Sequence, residues 1–398
     1  MLTIKFNRID TREKLCDSII YAAISLYLFV EIVLQGTLLP YKYNIGAFNF
    51  KLMLFFRAII LIVGMFRSKG YTRNNYISMA VFLAISFLSY KYSGMTTVFD
   101  LFFIVIFFPN IDCDKIAKIF YKTMIISVVI TLLLYCFNVF PEYIIYRNMT
   151  DMQRYAFGFS HPNVLGRILM LICMLHVLIK KDESKILDVI GIVFVGIFVY
   201  VWPNSVTSAE IIFLLAAALL LSMAYTHFMN RNLSQSVIVK LGAKITLPII
   251  FGAVVLITVN SDYQQIVRDF SITFYKRFYY GFVAIQEYGI HLFGNKITLV
   301  GSTQRYFSGN KQSTFVLDCL YILLLVRYGL VVTLYYLYEY IKGIANCIKD
   351  KNIYLLVVMV LIAVYSISEN GMTVFYSSFI FICSLGMKRS KLKSDSSL

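Results

Sequence analysis

Long apolar runs separated by short polar connections fill almost the whole chain. A helix that crosses a bilayer needs about 20 mainly apolar residues. Runs of that order lie near 17–39, 50–66, 74–90, 96–109, 117–140, 163–179, 185–203, 207–226, 242–260, 315–338, 352–368 and 371–387. The pattern predicts an all-α polytopic membrane protein with about twelve transmembrane helices, built as a single integral domain over 1–398. The first run follows Lys5, Arg8, Arg12 and Lys14, as a signal sequence would. It is too long for a cleavable apolar region and lacks an A-x-A site, so it reads as a retained first span. Pro40, Pro109, Pro141 and Pro203 fall at span ends and Pro162 opens the sixth, where a missing N–H costs little.

Two connections exceed the rest, at about 141–162 and 261–314, between cytoplasmic tails expected at 1–16 and 388–398. Long loops in compact proteins are commonly functional or disordered, and the aromatic content of the second argues against disorder. Phe270, Phe274, Phe278 and Phe282 recur every fourth residue, which predicts an amphipathic helix lying on the membrane domain. On a wheel of about 3.6 residues per turn, Arg277 falls beside that apolar face and Lys276 nearly opposite.

Composition strengthens the membrane reading. The chain is 59% hydrophobic and 15% charged, with mean hydropathy +0.74. A soluble domain carries roughly a quarter charged residues. The net charge of +16 raises nucleic acid as a partner, but the distribution of Lys and Arg gives another account. Alternate connections, with both tails, hold 23 of the 37 basic residues. The short connections on the other face hold only Lys42, Lys51, Lys91, Arg147 and Arg154. By the positive-inside rule both termini are cytoplasmic, and the partner is the lipid bilayer rather than nucleic acid. Seven cysteines are scattered singly, so neither a disulfide framework nor a zinc site is implied. No GxGxxG, P-loop, HExxH or GxSxG pattern is present, and no cofactor or metal is called for.

Against this background one stretch is costly. Residues 147–166 form a polar island with Arg147, Arg154, His161 and Asn163 between two apolar runs. Ionisable groups near lipid need a reason to be there. Arginine presents a planar fork to phosphate oxygens, and histidine titrates near neutrality. Ser160 is placed to cap the sixth span, whose N-terminus would offer N–H groups to an anion. The bland alternative is snorkelling arginines and a helix-start histidine. The 261–314 loop adds Arg268, Lys276, Arg277, Lys296, Arg305 and Lys311 against three acids, a net +3. Asp318 begins the tenth span and Glu369 lies in the turn Ser368–Gly371, each a general base or an arginine's partner. Glu31, Arg57, Asp100, Glu210 and Arg327, within predicted spans, suit ion pairs inside the bundle. Asp112-Cys-Asp114 matches a metal-holding DxD pattern, but acids at a helix N-terminus explain it better.

Arg154-Tyr-Ala-Phe-Gly-Phe-Ser-His-Pro-Asn-Val-Leu-Gly166 resembles the loop-to-helix signature of the Wzy-type bacterial polymerases of capsule, exopolysaccharide and O-antigen repeat units. Arg147 and Gly158 match that family's R-x10-G spacing. Arg277 to Gly294 is similar to the arginine helix and glycine turn of its large outer loop. Leu317–Tyr321 with Arg327–Gly329 resembles the span that follows, and Ser366–Asn370 the late acidic motif. The resemblance implies a GT-C-like fold and metal-independent glycosyl transfer at the outer face of the plasma membrane. It implies undecaprenyl-pyrophosphate-linked oligosaccharides as substrates, with a chain-length regulator and other polysaccharide-assembly proteins as partners. Arg154 and Arg277, with Arg147, would bind pyrophosphate. The base would be His161, Glu369 or Asp318, in that order. Asn163, Tyr321 and Gly294 would shape the pocket. Ser205–Ala209 lacks the arginine of a related motif and receives no catalytic role. The region before Asp318 lacks the histidine typical of O-antigen ligases, which favours polymerase over ligase. A lipid-linked oligosaccharide flippase would instead spread polar groups through both halves of a central cavity. An ion-coupled transporter would show matched broken spans, which are absent.

Overall fold

The computed structural model describes residues 2–66, 71–108, 111–141, 143–146, 152–229, 236–308 and 315–385. The described chain is helical almost throughout. Helices α1 (Leu2–Phe29, continued by a π turn, Val30–Gln35), α2 (Leu39–Tyr43), α3 (Gly46–Met65), α4 (Arg73–Ser93), α5 (Thr97–Phe107) and α6 (Cys113–Cys136) form the first half. A two-residue hairpin, β1 (Ile145–Tyr146) with β2 (Gln153–Arg154), pairs Ile145 with Arg154. Then come α7 (Pro162–Lys180), α8 (Ile186–Val201), α9 (Val206–Met229) and α10 (Val237–Val259). Three short helices follow: α11 (Ser261–Phe270), α12 (Ile272–Tyr288) and α13 (Ser302–Ser308). The last part holds α14 (Leu320–Leu323), α15 (Leu330–Lys349), α16 (Ile353–Tyr365) and α17 (Phe379–Leu385).

Among the described residues six helices are long and apolar enough to cross a membrane: Glu13–Gln35, Gly46–Met65, Cys113–Cys136, Pro162–Glu183, Val206–Tyr225 and Val239–Val259. Four shorter apolar helices, Thr97–Phe107, Ile186–Val201, Ile353–Tyr365 and Phe375–Leu385, complete the apolar set. The protein is an all-α membrane protein. Helices α7 and α16 are apolar on most faces and buried on most faces, as expected of central helices. The ring of Phe375 packs among α1, α5 and α6, edge-on to Tyr27 with centroids 4.3 Å apart and against Phe103 and Phe120. By contrast α3, α4 and α10 leave large apolar side chains exposed, such as Phe55, Phe87 and Leu256, in the manner of lipid-facing helices.

Three expected elements differ. The run 315–338 is not one helix: residues 315–319 are non-helical, α14 passes into a π turn (Leu324–Tyr328), and the axis breaks at Gly329 before α15. The run 371–387 begins as two 3-10 turns, Gly371–Thr373 and Phe375–Ser377. The phenylalanine stripe is split, because the Ser271 hydroxyl caps a new helix at Phe274 N and puts Phe270 on a separate one. Phe270 is 88% exposed, while Phe278 is buried under α12.

Ion pairing of the intramembrane charges holds for one pair. Arg57 Nη2 lies 2.8 Å from Asp100, and Arg57 also donates to the Tyr27 hydroxyl. Glu31 accepts instead from the backbone N–H groups of Phe375 and Tyr376, both at 2.8 Å. Glu210 is exposed. The carbonyl of Arg327 accepts from Asn295 N at 3.0 Å. Asp112 caps α6 through Lys115 N, and Asp114 pairs with Lys181 at 2.7 Å, so the DxD pattern is structural.

The axis break at Gly329 is plugged by residues 289–295. Gly294 (φ +86°) and Gly329 (φ +89°) lie back to back, and a Cβ on either would overlap the other strand's backbone. Asn295 Nδ2 donates to the Val326 carbonyl that the break leaves open, at 2.9 Å. Gly294 is therefore a packing position rather than the pocket wall the resemblance implied. Gly294→Ala places a side chain in a left-handed conformation costing about 1–2 kcal/mol before any overlap is counted. We expect it to lower the thermal midpoint in detergent by several degrees, whereas Gly252→Ala, with open space at its Cβ, leaves it unchanged.

Candidate functional site

The polar groups of the bundle gather where α7 begins. The loop before it turns through Phe157 (φ +48°) and Gly158 (φ +87°), with no room for a Cβ at Gly158 beside the Phe140 ring. It is tied to the end of the first span by Leu38 N to Gly158 O (3.0 Å) and Ser160 N to Gly36 O (2.9 Å). Strand β2 leans on the α8–α9 turn, where Tyr155 N bonds Trp202 O and Arg154 Nε donates to Pro203 O at 3.1 Å. That fixes the stem of Arg154 and sends its Nη2 to Asn163 Oδ1 in a short hydrogen bond.

Asn163 is the relay. Its Nδ2 donates to Glu369 Oε1 at 3.0 Å, and Arg277 Nη2 reaches the same oxygen at 3.4 Å. The side chains of Arg277 and Glu369 are 14% and 9% exposed, so this pair is shielded from solvent. Glu369 sits in the turn after α16, whose backbone is held by Asn370 Nδ2 on Leu317 O at 2.7 Å. The same contact, with Leu320 N on Ser366 O, docks the segment carrying Asp318 beside it. Beneath the turn runs Arg167, one helical turn after Asn163. Its Nε donates to the Tyr376 hydroxyl at 2.8 Å, and its guanidinium fills the space a side chain at Gly371 would need.

The electrostatics follow from this crowding. Burial, reinforced by the neighbouring Asp318, holds Glu369 well above the usual carboxylate range, opposed by Arg277, Arg167 and Arg154. Burial likewise raises Asp318, with Arg277 opposing. Two carboxyls this close and this dry favour sharing protons, while three guanidiniums keep the site attractive to anions. Such perturbed groups in a polar enclave mark functional-site candidates. On the other side of α7 from Asn163 and Arg167 lies an apolar cleft of about 300 Å³ between α6, α7 and α8, lined by Val128, Leu132, Leu165, Leu169, Phe194 and Phe198 among others. Phe198 stacks on Phe157 of the loop that carries Arg154, with ring centroids 5.9 Å apart.

Of the residues singled out from sequence, Arg154, Asn163, Arg277 and Glu369 form one hydrogen-bonded chain with Asp318 alongside. Arg147 lies outside the described residues, and with it the Arg147–Gly158 spacing. Tyr321 is not a pocket wall: it is fully buried and its hydroxyl donates to Ala363 O at 2.7 Å, strutting α14 against α16. His161, not Ser160, caps α7. Its Nδ1 accepts from Asn163 N at 3.1 Å, which leaves the ring proton on Nε2. Burial and the facing Arg154 and Arg167 push its pKa down to about 3. A histidine so occupied is a poor proton acceptor. Arg167 is masked in the sequence by the apolar run it stands in, although its i+4 spacing from Asn163 puts both on one helix face. No groups of three or more His, Cys, Asp or Glu positioned to hold a metal occur among the described residues.

If His161 is a cap, an amide can replace it. His161→Asn should keep the wild-type thermal midpoint, and His161→Ala should lose about 1 kcal/mol of stability, the usual worth of an N-cap. A folded but wholly inactive His161→Asn protein would overturn the assignment. Comparison of the chain with known families, with curated proteins and with solved structures finds no match.

Proposed function

We propose that this protein is a metal-independent glycosyltransferase that polymerises lipid-linked oligosaccharide repeat units at the outer face of the plasma membrane. The reading includes about twelve crossings in a GT-C-like arrangement with both termini cytoplasmic, as the distribution of Lys and Arg suggests. One observation carries it. A carboxylate with raised proton affinity is surrounded by Arg154, Arg167 and Arg277 within a bundle of apolar helices. That is the complement of an anionic head on a long hydrocarbon tail, as in undecaprenyl pyrophosphate.

In this mechanism the donor's pyrophosphate lies against Arg154 and Arg277, with Arg167 beneath, and its lipid chain stays in the bilayer. An acceptor hydroxyl attacks the anomeric carbon. The anomeric C–O bond to pyrophosphate breaks through an oxocarbenium-like transition state. Negative charge grows on the leaving group, where fixed guanidiniums stabilise it without reorganising. The hydroxyl proton passes to Glu369. Asn163 and Arg277 both donate to Oε1, so Oε2 is the oxygen to receive it. Asp318 raises the proton affinity of Glu369 and so makes it the stronger base. Glu369 replaces His161 as the first choice of proton acceptor.

In membranes, Arg154→Ala and Arg277→Ala should leave single repeat units where the wild type makes polymer. Arg154→Lys should restore little, because lysine lacks the two-pronged fork. Glu369→Gln keeps an acceptor for Asn163 and should fold, yet slow initial transfer by about 10²–10⁴-fold, the usual worth of a general base. The base works deprotonated, so a raised Glu369 moves the acid limb of the pH–rate profile up toward neutrality. Glu369→Gln should abolish that limb. Full-length polymer from both arginine variants would refute the proposal.

A further inference from the structure

A second feature lies at the same end of the bundle. Tyr41 of α2, Tyr143 from the loop after α6, and Tyr306 and Phe307 of α13 form one cluster of four rings. Tyr41 stacks on Phe307 with centroids 5.0 Å apart and an interplanar angle of 26°. Tyr143 touches Tyr306 at 4.8 Å and Phe307 at 5.3 Å. The inner edge is anchored, because Tyr143 and Phe307 pack on a small apolar nucleus of Val33, Leu38, Leu39 and Phe140. The outer edge is open. Tyr306 is 61% exposed and Tyr41 39%.

The rings are also held in orientation and tied to the site. The Tyr143 hydroxyl donates to Thr303 Oγ1 at 3.3 Å, and Thr303 Oγ1 donates to Ser160 O at 2.6 Å. Ser160 precedes His161, the cap of the helix that bears Asn163 and Arg167. Aromatic side chains that anchor a protein at the membrane interface need only an apolar body and a wet tip. This cluster has more. Three segments far apart in sequence present ring faces bordered by three phenol hydroxyls, and half-buried hydrogen bonds through Thr303 tie them to the start of the helix that bears Asn163 and Arg167. A pyranose has the matching shape, an apolar C–H face rimmed by hydroxyls, whereas an acyl chain gains nothing from oriented hydroxyls.

We infer that Tyr41, Tyr143, Tyr306 and Phe307 form an oligosaccharide-binding platform, which stacks sugar rings of the substrate beside the Glu369 site. The inference rests on the reading that the substrate carries an oligosaccharide, and adds where that part is held. The platform contains no cation of the pyrophosphate enclave, so sugar and head group are gripped by separate elements. Loss of the rings weakens capture of the sugar and leaves the base and arginines in place.

The probe is the free oligosaccharide released by mild acid from lipid-linked repeat units of cells lacking the gene. It carries no lipid and no pyrophosphate, so the arginines do not recruit it. Binding to the protein in nanodiscs is read by saturation-transfer difference NMR. Wild type should saturate sugar-ring protons. Tyr306→Ala and Tyr41→Ala should weaken binding about fivefold each, the size of one aromatic stacking contact. Tyr306→Phe should retain most of it. Phe87→Ala, on the exposed face of α4, should bind like wild type, and it and the tyrosine variants should keep the wild-type thermal midpoint. No transfer to the probe from wild type, or equal binding by wild type and both tyrosine-to-alanine variants, overturns the platform. Wild-type membranes that bind the probe but never build polymer overturn the polymerase reading and leave the platform standing.

Discussion

One carboxylate oxygen ties together three parts of the chain. Glu369 Oε1 accepts from Asn163 on α7 and from Arg277 on α12, partners 206 and 92 residues away. A buried carboxylate is costly in a bundle this apolar unless its lone pairs are met, and an unpartnered guanidinium is no cheaper. Each element therefore needs the other two. Helix α7 brings Asn163 and Arg167, α12 brings Arg277, and the turn after α16 brings the acid. The close approach of α7 to its neighbours follows from two glycines. A Cβ at Gly166 would overlap Ser205, just before α9, and one at Gly371 would overlap Arg167.

This arrangement explains why polar residues in a hydrophobic chain were the legible part of it. Arg154, Asn163, Arg277 and Glu369 stand out because each interrupts or borders an apolar run, and expense demands a purpose. Helical geometry then placed Arg277, rather than Lys276, toward the protein, and the structure has it on Glu369. What sequence alone hid was partnership. Arg167 sits within an apolar run and looks like any spanning residue until Tyr376, 209 positions away, is seen to accept from it. The choice of cap between Ser160 and His161 turned on one φ/ψ pair, since His161 is extended and its ring folds back onto Asn163 N. Hydropathy also cannot see backbone: 315–338 is mainly apolar, yet Gly329, abutting Gly294, breaks it.

The roles of the two kinds of aromatic residue separate along the same line. Phe375, Phe120, Phe103 and Tyr27 fill the centre of the bundle and fix the distance between α1, α5, α6 and the final segment. Tyr41, Tyr143, Tyr306 and Phe307 sit at one end, partly open, and cohere with one another rather than with the main core. Their composition is similar and their burial is not. The difference is read from packing, never from the count of tyrosines.

Irregular backbone gathers around Glu369, and the reason is a hydrogen-bond account. At membrane depth, non-helical backbone persists only where protein or a polar cavity satisfies its N–H and C=O groups. The 3-10 turns of 371–377 leave donors that no helix partner meets. Glu31, on the π turn that ends the first span, supplies both its oxygens to Phe375 N and Tyr376 N. That grip sets Tyr376, whose hydroxyl sets Arg167. An acid near the end of an apolar span thus acts as a bracket for the turn beneath the candidate site. The chain bears the cost of burying Glu31 because a regular helix over 371–377 would leave neither room nor an anchor for Arg167 beside Glu369.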